Sequence, residues 1–357
     1  MLSIIIFIVS FLSVFLNPII VTTFYDNLNK ITHIDYSLCA FSNFSCVHDI
    51  STQIKKNQIN DEKLINATLE KVDSGKLKNW LYFLSSFHNR HTKTEYIDQA
   101  AYWIKNELQQ TCNGKVYFHN FNHLDQEKNY QLKNIICDIS SSKSNVKNST
   151  IIISAHYDDR IEALNNTKAR APGADDNASG VSALLEVARI LSNINLQNHI
   201  QIVFFSGEEQ GQWGSKNYVK ALHTNNTNID LLVNLDMIGF PPPSELNKEY
   251  VIIEYDEWNK VPTNNIDSKR TAEFMQQIAL HYTNLIPRLQ NLSNSDFNSF
   301  EALGYTVIGL HDGGEKYNPH YHKSSDSPDT LDIEYLTAIT KLTLATILKL
   351  DTNTNFK

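Results

Sequence analysis

STIIISAHYDD, residues 149–159, decides the reading of this chain. Ile151, Ile152 and Ile153 form a β-branched, apolar core of strand length, too short and too uniform to carry the polar face of an amphipathic helix. The run ends abruptly in His156, Tyr157 and Asp158. Apolar runs of the same kind recur at NIICDIS (134–140), HIQIVFFSGEE (199–209), DLLVNLDMIGF (230–240), YVIIEYD (250–256) and YTVIGLHDG (305–313). Helical spacing lies between or around them, at TEYIDQAAYWIKNELQQ (94–110), ASGVSALLEVARILSNI (178–194), 268–284 and 332–350. In 178–194, Val181, Leu184, Leu185, Ala188 and Leu191 share one face. Strands that are apolar on both sides and alternate with helices predict an α/β fold with a mixed, largely parallel central sheet flanked by helices on both faces. In such sheets the chemistry gathers beyond the carboxyl ends of the strands.

The sequence places acids and histidines at those ends. His156 and Asp158 follow the first quoted strand, Glu208 and Glu209 follow IVFFSG, and Asp236 follows LLVNL. APGADDNASG (171–180) puts Asp175 and Asp176 at the mouth of a helix, and His322 lies in HDGGEKYNPHYHKSSDSPD after the last strand. Each residue alone has a structural explanation: Asp176 or Asn177 as a helix cap, Asp236 as a turn residue, Glu208–Glu209 as a solvated pair. Together they are a set of carboxylates whose mutual repulsion calls for a cation. Mixed imidazole and carboxylate donors suit zinc, and five ligands suit two ions sharing a carboxylate better than one. Glu254, Asp256 and Glu257 form a further acidic cluster with no motif around it, read as a solvated face.

The remaining composition narrows the class. The 357 residues carry a formal charge of −8 and no basic cluster, which argues against a nucleic-acid partner. Leu2–Leu16 is mostly apolar and shorter than a membrane span, so residues 1–22 read as a signal peptide, with an uncleaved anchor as the alternative; no later stretch is apolar enough to span a bilayer. Residues 23–71 read as a linker or pro-segment and 72–357 as the folded domain. A secreted or periplasmic monomer is expected. Cys39, Cys46, Cys112 and Cys137 allow two disulfides, with Cys39–Cys46 and Cys112–Cys137 favoured as the short closures, or four free thiols. N-x-S/T sequons stand at Asn43, Asn66, Asn148, Asn165, Asn177, Asn225 and Asn291.

Over residues 74–350, five motifs in order (HYDD, PGADDNASGVSALLEVARIL, SGEEQGQWGS, NLDMIGF and YNPHYHKSSDSPDTLD) resemble the di-zinc aminopeptidases of peptidase family M28. The resemblance implies a zinc-exopeptidase fold and removal of N-terminal, Leu-like residues from peptides. It implies two Zn2+ per chain. His156 and Asp236 would hold one ion, Glu209 and His322 the other, and Asp175 would bridge them. Glu208 would be the general base and Asp158 the carboxylate that fixes the His156 tautomer. It further implies a cis peptide between Asp175 and Asp176, and a substrate pocket near Met237, Ile238 and Tyr317. Two positions depart from the family pattern: Phe297 replaces a common His after Ser295–Asp296, and Leu292 stands where some secreted members carry Tyr. The rival readings are a single-zinc glutaminyl cyclase, an M28 carboxypeptidase and a catalytically inactive binding module.

Overall fold

A computed structural model describes residues 61–141, 149–242, 249–257 and 261–352. Residues 1–22, most of 23–71, Cys39, Cys46, Asn43 and Asn148 lie outside them. The chain divides into two compact units: Leu69–Ile347, and Met1–Thr68 together with Leu348–Lys357. The sheet and every site residue belong to the first.

Among the described residues eight strands form one sheet: β1 Lys115–Asp125, β2 Lys128–Ile139, β3 Ser149–His156, β4 His199–Phe205, β5 Asn228–Leu235, β6 Tyr250–Tyr255, β7 Ile286–Asn291 and β8 Val307–His311. Their order is β1-β2-β4-β3-β5-β8-β6-β7. The four central strands β4, β3, β5 and β8 run parallel, as do β6 and β7, while β1, β2 and the β6–β8 pairing are antiparallel. The mixed, largely parallel α/β sheet is therefore as the sequence predicts.

Among the described residues beyond 70, the α-helices are α1 Ser74–Leu84, α2 Tyr96–Thr111, α3 Gly180–Leu191, α4 Trp213–Thr224, α5 Asn265–Tyr282, α6 Phe297–Glu301 and α7 Ile333–Thr352. Alternation along β3 explains why its isoleucines are all buried. Ile152 joins the cluster of Val203, Phe205, Tyr218, Phe297 and Phe300 beneath α4 and α6. Ile151 and Ile153 point to the opposite face, where α3 packs on β3. Cys112 and Cys137 are bonded, tying the end of α2 to β2. Among the described residues no helix is long and apolar enough to cross a membrane.

Several elements are not foreseen from the sequence, among them β1, β7, α4 and the short α6. β1 is half-exposed and polar along much of its length, so it shows neither a continuous apolar run nor a clean alternation. Its turn to β2 uses Gln126 and Glu127 at φ 46° and 68° in place of the usual Asn-Gly signal. β7 is a short edge strand, and α4 has only a few buried side chains, with no continuous apolar stripe. The solvated reading of Glu254 and Asp256 is also corrected. Both are buried: Glu254 lies in an inner strand of the sheet, and Asp256 follows it where α5 packs on β6, its N–H donating to Ser268. Glu254 accepts from the Ser293 N–H and lies 3.7 Å from His311. Only Glu257 is half-exposed, paired with Lys269.

Arg90, fully buried, braces the end of β3 against the loop that precedes α3. Its guanidinium donates to the carbonyls of Leu84, Tyr157, Pro172 and Gly173 at 2.7–3.0 Å and pairs with Asp159 at 3.1 Å. Arg90→Met would leave Asp159 and four carbonyls without their cation. The expected loss is about 3–5 kcal/mol of unfolding free energy, read from urea midpoints. Adding Asp159→Asn should recover part of it.

Candidate metal centre and catalytic site

The carboxyl ends of β3, β4, β5 and β8 open onto one crevice. His156 is the last residue of β3, Glu208 and Glu209 lie just beyond β4, and Asp236 follows β5 directly. The loop before α3 reaches the same point through Gly173, at φ 51°, whose missing side chain is required. A Cβ there would stand 2.6 Å from the Asp159 Cβ and from the Asp176 carbonyl oxygen.

In this crevice Asp176 holds the central place. Its Oδ1 lies 3.2 Å from His156 Nε2 and its Oδ2 2.9 Å from His322 Nε2. His156 Nε2 is also 3.2 Å from Asp236 Oδ1, and His322 Nε2 is 3.2 Å from Glu209 Oε1. Among the described residues, two groups therefore offer three converging donor atoms each: His156, Asp176, Asp236 and Asp176, Glu209, His322. Asp176 is common to both.

Asp175, the bridge that the sequence resemblance implies, is elsewhere. Its carboxylate accepts from the Gly239 N–H at 2.9 Å and from Asn318 Nδ2 at 2.6 Å. Successive side chains in non-helical backbone point opposite ways, and Asp176 has φ −106° and ψ 88°. The cis peptide is likewise one residue further on, between Asp176 and Asn177. Asn177 is fully buried and donates to the Leu235 carbonyl, so it is no glycosylation site.

Four of the five donor residues are held from behind. His156 Nδ1 lies 3.1 Å from the Asp158 backbone carbonyl, which leaves Nε2 for the crevice. The Asp158 carboxylate stands further off, 3.7 Å from that ring. It accepts from the N–H groups of Gly207, Glu208 and Glu209 and from Thr92, so it fixes the 207–209 loop more directly than the imidazole. Asp326 caps the Asp175 and Asp176 N–H groups in the same manner. A buried chain runs Ser154 to Asn234 to Ser295 to Asp236 Oδ2 at 2.6–2.8 Å. Arg160 Nε donates to Glu209 Oε2 at 2.7 Å. Arg90, Arg160, Asp326 and Asn318 are absent from the sequence reading, because nothing in their spacing marks a residue that acts behind a ligand.

The electrostatics match a cation site. Burial alone would depress both imidazoles, yet Asp236, Asp158 and Asp176 hold His156 well above the ordinary range, and Asp176 with Glu209 pushes His322 to about 9. Burial, Asp296, Glu209 and Asp236 push Glu208 up despite the opposing pull of His156. The donor set, imidazole Nε2 and single carboxylate oxygens converging in a buried crevice, fits a pair of divalent ions.

The three pocket candidates separate. Ile238 is fully buried, which removes it from any surface a substrate touches. Met237 is 6 % exposed at φ 55°, and its Sδ faces Gly314 in the loop that carries half-buried Tyr317.

Among proteins of known identity, the chain is 26 % identical over 308 residues to a probable leucine aminopeptidase 1 of Trichophyton verrucosum, covering 80 % of this chain and 76 % of that one. Its fold resembles that of the Legionella pneumophila LapA aminopeptidase (TM-score 0.68, 22 % identity, 82 % of this chain and 75 % of that one). It also resembles Bacteroides thetaiotaomicron glutaminyl cyclase bound to N-acetylhistamine (TM-score 0.64, 20 % identity, 78 % and 98 %). Residues 134–347, more than half of the sequence, match the family described as Peptidase family M28, and the chain belongs to that family.

Proposed function

We propose that the chain is a zinc aminopeptidase that removes N-terminal, Leu-like residues from peptides with two Zn2+. The observation that carries this reading is Asp176, which presents one carboxylate oxygen to each of two otherwise separate donor groups. His156 and Asp236 would hold one ion, and Glu209 and His322 the other. Zinc bound there supplies Lewis-acid polarisation of the scissile carbonyl and of the attacking water.

Glu208 follows β4 on the loop whose N–H groups Asp158 holds, next to a ligand but outside both donor groups. Its carboxylate, made more basic by burial and by its acidic neighbours, takes a proton from water and returns it to the leaving amine. The free α-amine of a substrate is oriented by the carboxylates of the same crevice, which favours cleavage from the chain end. Met237 and Tyr317 flank the side-chain pocket, and the apolar thioether favours aliphatic residues. Export to an oxidising compartment accords with the Cys112–Cys137 bond; the protein would act there as a monomer on peptides.

The test compares Leu-p-nitroanilide, its N-acetylated form and a glutaminyl peptide, with metal content measured on the same preparation. Two equivalents of zinc and hydrolysis of the free-amine substrate alone are expected. One equivalent, with cyclisation of the glutaminyl peptide, would replace this reading by the cyclase one.

A further inference from the structure

The two halves of the metal centre have the same donors: one imidazole, one terminal carboxylate and a share of Asp176. What stands behind the terminal carboxylates differs. Asp236 Oδ2 accepts from the neutral Ser295 hydroxyl, the last link of a buried chain of uncharged groups. Glu209 Oε2 accepts at 2.7 Å from Arg160, a permanent cation. Each contact occupies one carboxylate oxygen and leaves the other, Asp236 Oδ1 or Glu209 Oε1, facing its histidine. The charge left for a metal is not the same. A guanidinium withdraws electron density from Glu209 and repels a divalent ion, whereas a serine hydroxyl does neither. Further acidic groups favour the other half, since Asp158 lies 3.7 Å from His156 while Arg160 stands beside Glu209.

We infer that Arg160 makes the two metal positions unequal: the His156–Asp176–Asp236 position binds tightly, and the Asp176–Glu209–His322 position is the weak, exchangeable one. The inference rests on the two-metal reading of the site. Arg160 is a positioning residue, acting on metal through Glu209. Its side chain is 20 % exposed, so its charge can be removed by substitution without opening the core. In this arrangement the occupancy of the second position, and with it activity, would follow the free zinc concentration around the protein.

The full chain, stripped of metal by a chelator, is titrated with Zn2+ in competition with a fluorescent zinc indicator. The wild type should take up two equivalents whose dissociation constants differ by at least about tenfold. Arg160→Gln keeps an N–H donor for Glu209, so the ligand stays supported, but removes the like charge near the ion, and should tighten the second equivalent by about tenfold while leaving the first unchanged. Arg160→Lys keeps the charge and should resemble the wild type. His322→Ala should abolish the weak equivalent and retain the tight one. Equal affinities in the wild type, or a second equivalent that Arg160→Gln leaves unmoved or weakens, would overturn the proposal. Uptake of one equivalent by both wild type and Arg160→Gln would instead sink the two-metal reading beneath it.

Discussion

Glu208→Gln is expected to lower kcat on Leu-p-nitroanilide by about 10²- to 10⁴-fold while zinc content and KM stay near wild type. Glu208 is held by its backbone, since its N–H and those of Gly207 and Glu209 all donate to Asp158. A side-chain amide is nearly isosteric with the carboxylate, so the loop should keep its place. Glu208 is not in either donor group, so metal should remain. What the amide lacks is a basic oxygen. Burial and the charges of Asp296, Glu209 and Asp236 raise the Glu208 carboxyl, with His156 pulling the other way. A carboxylate raised in this way accepts a proton more readily than a solvated one, and Gln accepts none. Undiminished turnover with full zinc content would show that another group moves the proton. Loss of zinc would show that Glu208 is a ligand.

The parts of this molecule that are legible in sequence are those with a one-dimensional signature. β3, β4, β5 and β8 are buried on both faces, so they appear as apolar runs, and the residues that cap them appear as sudden polarity. His156, Glu208, Glu209 and Asp236 can be found by that contrast alone. The antiparallel margin is less visible, because β1 is half-exposed and its turn lacks glycine. The residues behind the ligands have no signature at all. Arg160 directly follows HYDD and Asp326 sits within the last motif, yet only the fold brings them to Glu209 and to the Asp176 N–H. Asp175 and Asp176 show the same limit at its sharpest. They are adjacent and chemically identical, and a one-residue slip sends the side chain to the opposite side. Pattern alone does not choose between them; the backbone after Gly173 does.

That choice gives the second large effect. Asp176→Asn is expected to strip both metal positions, weakening each by more than the ~10–100-fold seen when only a supporting partner of a ligand is lost, and to abolish activity. Asp176 supplies an oxygen to each half-site, and a neutral amide offers one weak carbonyl donor in place of two anionic ones. It also leaves His156 and His322 each with a single anionic donor beside it in the centre, Asp236 and Glu209. Asp175→Asn should behave otherwise. Burial, with Asp312 and Asp326 close by, pushes the Asp175 carboxyl well above the carboxylate range, so its charge is costly there and a neutral amide of the same shape should be tolerated. The Gly239 N–H still finds an oxygen, while the Asn318 amide must turn to meet an amide partner. Two equivalents of zinc should therefore remain in Asp175→Asn, with any loss falling on stability or on the placement of the 237–240 loop. Zinc analysis of the two purified variants side by side decides the matter. If Asp175→Asn loses both ions and Asp176→Asn keeps them, the bridge is Asp175 and the geometry of this centre is wrong.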